Sequence, residues 1–162
     1  MLVLADAPQL LIDLEQSAFA AAIRQSVWAY PAANVGHILA LALFAGAVAV
    51  MDLRLLGLFA ATPALAIVRP ARAVAMLGLL LMALTGFALF SAEASHVAMN
   101  PVFQVKAALI ALGVLNALLI AGPALAAAGT GATLPAGVRW AAALSLAIWL
   151  SVAACGRLIA YF

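Results

Sequence analysis

A composition that is 70% hydrophobic and only 7% charged, together with four long apolar stretches separated by short polar or Gly/Pro-rich breaks, predicts an all-α integral membrane four-helix bundle. An N-terminal interfacial amphipathic helix completes the expected fold. Four crossings of ~20 residues consume about half the chain, which leaves one compact domain and no room for a separate soluble one. Seven Lys and Arg against five acids give a formal net charge of +2, too little for a nucleic-acid footprint. The single cysteine, Cys155, excludes an internal disulfide, and no C-x-x-C-H sequence is present to attach a c-type haem covalently.

Residues 1–30 form the expected interfacial element. Leu10, Leu11, Leu14, Ala18, Ala21 and Ala22 recur at roughly helical spacing, Asp13, Gln16, Arg24 and Gln25 supply polarity, and Trp28 and Tyr30 suit the headgroup region. A cleaved signal peptide does not fit: Asp6, Asp13 and Glu15 interrupt the apolar run and no basic residue precedes Arg24, so the segment is expected to stay on the mature protein.

Residues 31–162 form the expected bundle. The first span, about 31–53, opens at Pro31 and closes at Asp52 and Arg54. The second, about 70–90, begins beside Arg69 and Arg72 and can continue as helix past Ser91 toward Asn100. The third, about 101–121, opens at Asn100-Pro101, where Asn caps free amides and Pro takes the first helical position, and stops before Gly122-Pro123. A Gly/Thr/Pro-rich loop, Gly129 to Gly137, leads to the fourth span, about 138–160.

Arg54, Arg69, Arg72 and Arg139 all flank short loops on one side, which the positive-inside rule makes cytoplasmic. Both termini and the Glu93–Asn100 connection then face outward, in a multi-pass protein of the bacterial inner membrane. Lys106 and Arg157 oppose the rule, each near the outward end of its helix. Asp52 is expected to form an interfacial ion pair with Arg54, Arg72 or Arg139. Asn116, Thr85 and Ser145 are mid-membrane polar groups of the kind that hydrogen-bond between helices, and Asn116 is also placed to meet a bound ligand.

The chain has two histidines, and this topology puts both near the outward face. His37 lies about two turns into the first span and His96 at or beyond the end of the second. An ionisable group inside a membrane is a functional candidate, neutral imidazole is a common haem-iron ligand, and facing helices of a bundle are a usual cofactor site. Two such rings could clamp one non-covalent haem b beside Gly36, which lets a flat macrocycle approach. Lys106, Arg157, Arg24, Asn100, Gln104, Trp28 and Tyr30 fall on the propionate side. Met99 is the other candidate axial ligand.

Three other readings compete with haem. Glu93-x-x-His96 has di-iron spacing but lacks the second copy and the further glutamates, since Glu15 is the only other one. Copper on His37, His96 and Met99 is a second alternative. A cofactor-free structural or assembly subunit, with His37 bonding a neighbouring helix and Lys106 and Arg157 snorkelling, is the third. Gly46, Gly78, Gly86 and many alanines give small helix faces that permit close packing within the bundle or between subunits of a homo-oligomer.

Trp28-Ala-Tyr-Pro31 leading to Asn34-Val-Gly-His37, Met51-Asp-Leu-Arg-Leu-Leu-Gly57, Asn100-Pro-Val-Phe-Gln-Val-Lys106, Leu115-Asn116-Ala-Leu, Ile148-Trp149-Leu150 and Gly156-Arg157-Leu-Ile-Ala-Tyr161 together span most of the chain. In these stretches the sequence resembles a family of small, functionally uncharacterised bacterial four-helix membrane proteins. Its layout is similar to that of small b-type cytochromes and copper-resistance membrane domains. The resemblance implies a haem protein transferring electrons near the outward face, with quinol, a small oxidant or an outward-facing redox protein as partner.

Overall fold

The computed structural model describes residues 7–121 and 134–161, all in helices and short connections. The Gly122-Pro123 end of the third span and most of the Gly129–Gly137 loop lie outside the described residues. In chain order the helices are α1 (Gln9–Gln16), α2 (Ala18–Gln25), α3 (Ala29–Leu56), α4 (Ala64–Ala92), α5 (Ala94–Met99), α6 (Pro101–Leu115) and α7 (Ala136–Leu158). A π-helical turn, Asn116–Ala121, continues α6.

Four helices are long and apolar enough to cross a bilayer: α3, α4, α6 with the start of its π turn, and α7. The expected four-helix membrane bundle is therefore the observed fold. Two boundaries differ from expectation. α4 begins at Ala64, so Pro70 lies inside the helix rather than at its start. Its ring leaves the carbonyl one turn back without an amide donor, a cost the surrounding turns absorb. The N-terminal segment, expected as one interfacial helix, is two helices. Ser17, in extended conformation, breaks the run, and its hydroxyl accepts a bond of 3.2 Å from the Ala20 amide that starts α2.

The other helix ends follow local chemistry. Asn100 Oδ1 accepts from the Val102 and Phe103 amides at 2.9 and 3.3 Å, and Pro101 opens α6. Gly57, at φ 116°, ends α3: its amide donates to the Arg54 carbonyl at 3.1 Å and the next amide to Leu53 at 3.0 Å. Below this turn the Arg54 guanidinium donates to the Thr62 carbonyl at 3.1 and 2.7 Å, which ties the α3–α4 connection to the helix end.

Lipid offers no hydrophobic drive between helices, so close approach of small residues must hold the bundle. A Cβ added at Gly78 would sit 2.9 Å from the Phe44 backbone nitrogen, so α3 and α4 are in backbone contact there. One added at Gly113 would meet the Trp149 ring at 2.8 Å, which marks the same kind of approach of α6 to α7. Phe44 and Trp149 then meet edge-to-face at 4.6 Å and link the two pairs. α3 packs on α7, but no packed seam joins α4 to α6. Those two meet where Phe90 and Phe103 stack, 5.4 Å apart, at the end that carries His37. Toward the end that carries Arg54, Arg69, Arg72 and Arg139, a groove of about 290 Å³ separates them, floored by Phe44, Val48, Ser145 and Trp149.

Candidate functional site

Near the histidine end, all four membrane helices contribute to one neighbourhood. From α3, His37 reaches across to α4, where its Nδ1 lies 2.9 Å from Thr85 Oγ1. The Thr85 hydroxyl has one proton and gives it to the Leu81 carbonyl at 2.7 Å, so it accepts from His37. Hydrogen-bond arithmetic thus assigns a proton to Nδ1, and in the neutral ring this leaves the Nε2 lone pair free. Met82 contributes a backbone carbonyl that also addresses the ring, a group that can only accept.

Gly86 allows this placement. A Cβ there would lie 3.1 Å from His37 Cε1, so the imidazole rests against the bare backbone of α4. Gly36 plays the reciprocal part, since its Cβ would lie 3.4 Å from the Thr85 methyl. The ring is half-buried, with its orientation fixed by one hydrogen bond and one glycine.

Lys106 of α6 is the charged group whose field reaches His37. Its Nζ lies against α7 beside Cys155, where a Cβ on Gly156 would be 3.4 Å away. No carboxylate among the described residues pairs with this half-buried ammonium. A cation in that position favours an anionic or hydrogen-bond-accepting neighbour.

The other expected site residues are committed elsewhere. The Arg24 guanidinium donates to the Ala92 carbonyl at 2.7 Å and to the Glu15 carbonyl at 3.3 Å, closing the end of α4 and holding α2 over it. Arg157 lies over the Tyr161 ring, 4.6 Å from its centroid, and bonds its hydroxyl. Trp28 is 81% exposed, and Asn100 spends its carbonyl oxygen on the α6 cap. His96 is exposed on α5 beside Glu15, so the two histidines face different neighbours. Gln104 donates to the Ala98 carbonyl at 3.1 Å.

Glu15 is the anchor of the α1–α5 junction. Its carboxylate accepts from the Ser95 amide at 2.8 Å and from the Ser95 hydroxyl. Burial raises the Glu15 pKa, but the two Ser95 bonds and the positive fields of Arg24 and His96 outweigh it and leave the group below its ordinary 4.5.

At the arginine end, the expected ion pair of Asp52 is absent among the described residues. Asp52 is 2% exposed and lies beside Ser145, and its Oδ2 has no partner among the described residues. Arg54, the nearest basic residue in sequence, is instead spent on Thr62. Asn116 does bond between helices as expected, its Nδ2 donating to the Ala141 carbonyl at 2.9 Å, while its Oδ1 is buried without a donor. The sequence assigns neither the Thr85–His37 bond nor the nearness of Ser145 to Asp52. Each joins residues on different helices, and the only available signal was a polar side chain in mid-span.

This architecture, four membrane-crossing helices with a histidine of α3 bonded to α4 and a lysine of α6 near the same end, defines a multi-pass membrane four-helix protein. The chain belongs to a family of unknown function, DUF6644, which it matches over residues 17–162. No curated protein and no solved structure matches it.

Proposed function

We propose that this protein is a b-type haem protein of the bacterial inner membrane, transferring electrons near the outward face with His37 as an axial ligand. The observation that carries the reading is the Nδ1–H bond from His37 to Thr85, which presents Nε2 as a free donor on an oriented ring. Metal-bound histidines characteristically have the other ring nitrogen held in this way. Lys106, which no carboxylate among the described residues pairs, supports it as a cation for a propionate. Haem, once bound, would supply a one-electron couple. The residues named here would hold it, set its orientation and bias its charge. His96 and Met99 are the candidates for a second ligand, and quinol, a small oxidant or an outward-facing redox protein for exchange. The outward placement rests on the four arginines at the opposite end.

Purified protein should show a Soret band and a reducible b-type spectrum, both diminished by His37→Ala. A colourless, monodisperse wild type with no haem uptake would move the cofactor-free subunit to the front. One observation favours that second reading: His37 already has a partner in Thr85 and packs flush on Gly86. Copper has less to hold it, because no group of three His, Cys, Asp or Glu gathers among the described residues. Porphyrin-free metal in elemental analysis would revive it. The small helix faces also support a homo-oligomer, which light scattering in detergent would count.

A further inference from the structure

We infer that the groove between α4 and α6 is a binding site for the ring of a lipid-soluble quinone. The groove lies between the two helices that fail to pack, so a ligand enters it sideways from the bilayer. Its volume, about 290 Å³, is at the small end of ordinary ligand pockets, enough for a ring headgroup but not a whole lipid. The walls suit a flat, polarisable body: the edge-to-face pair Phe44 and Trp149 forms the floor, and Met51 and Met76 line the sides.

Polar chemistry inside the groove separates this occupant from an acyl chain. Ser145 lies nine residues into α7, roughly 13 Å along the axis from its start, at a depth where a phospholipid is pure hydrocarbon. Ser145 and Arg72 both line the groove, and Ser145 neighbours Asp52. Behind the lining, Asp52 Oδ2 and Asn116 Oδ1 are buried acceptors without donors. Asn116 also opens the π turn that carries Ala117 and Leu118 to the wall. Such turns recur at functional sites because they displace a helix from regular packing. A ring with oxygens at opposite edges can accept from Ser145 or Arg72 when oxidised and, when reduced, donate to the Ser145 hydroxyl oxygen, which a hydrocarbon chain cannot do. The isoprenoid tail would leave through the α4–α6 opening.

Binding stands independently of haem. Only the destination of the electrons rests on the proposed function, since Phe44 is seven residues, or roughly 10 Å, from His37 along α3. The test is titration of the detergent-purified full chain with decylubiquinone and menadione by calorimetry, in wild type, Ser145→Ala, Arg72→Gln, Met76→Trp and His37→Ala. Saturable binding is expected in wild type and His37→Ala, weakened about tenfold or more by Ser145→Ala and by Arg72→Gln. Met76→Trp, at an exposed position on the mouth, should block entry without disturbing the core, which keeps the test readable if Ser145→Ala misfolds. No saturable binding, equal binding by the Ser145, Arg72 and Met76 variants, or competition by phosphatidylglycerol alone would overturn the proposal. A haem spectrum without quinone binding would leave only the first reading, and quinone binding by a colourless protein only this one.

Discussion

His37 and Thr85 are joined across α3 and α4 by a 2.9 Å hydrogen bond in which the imidazole donates and the hydroxyl accepts. The bond sets which ring nitrogen is available and which way the ring faces, so it controls any chemistry at His37. Thr85→Val keeps the side-chain shape and removes the acceptor. It should cost about 1 kcal/mol of bundle stability and lower haem occupancy or shift its potential, whereas Thr85→Ser restores both. Denaturant titration and redox spectroscopy of the three proteins test this. An unchanged spectrum in Thr85→Val would remove Thr85 from the site.

Gly78 tests the packing of the same two helices. A methyl added 2.9 Å from the Phe44 nitrogen meets backbone, which cannot step aside as a side chain can. Gly78→Ala should therefore cost about 1–3 kcal/mol and lower Tm in detergent, while Gly46→Ala, with open space around it, should change little. Equal Tm values for the two would contradict the close approach.

Gly57 ends α3 at a positive φ that side chains adopt only with strain. Gly57→Ala should destabilise the turn by about 1 kcal/mol, and Gly57→Asn by less, as read by thermal unfolding. The damage should stay local to the arginine end and leave the His37 neighbourhood unaltered.

The Glu15–Ser95 junction gives a pH dependence with a definite sign. Docking lowers the Glu15 pKa below 4.5, so the docked state prefers the ionised acid and undocking takes up a proton. The contribution is full above the ordinary value and is lost as pH falls through the lowered one. Hydrogen exchange at the Ser95 amide, compared between wild type and Glu15→Gln, should differ near neutrality, begin to approach at pH 4.5 and converge only once the pH has fallen through the lowered value. A difference that persists in acid would mean that another contact protects the amide.

What the sequence reveals here follows from lipid as solvent. A single segment satisfies every one of its own backbone groups inside a bilayer only as a helix, so long apolar runs name the spans, and local chemistry names their ends where Asn100-Pro101 and Gly57 act. Rotation about each helix axis is different. The surroundings are as apolar as the core, so residues facing lipid and residues facing protein look alike. Hydropathy could not tell that His37 turns to Gly86, that Asp52 lies beside Ser145 rather than in an ion pair, or that α4 and α6 stand apart. The division of the interfacial segment at Ser17 was missed for a related reason. Its apolar spacing runs on through a residue whose hydroxyl starts a second helix.

Arg24 and Glu15 find their partners 68 and 80 residues downstream, at Ala92 and Ser95. During synthesis those partners do not exist until two crossings have been made, so the nascent segment must wait at the membrane surface with its bonds unmade. It can close over the bundle only after the second hairpin arm has been threaded, and the latch therefore records that insertion has proceeded in the correct order.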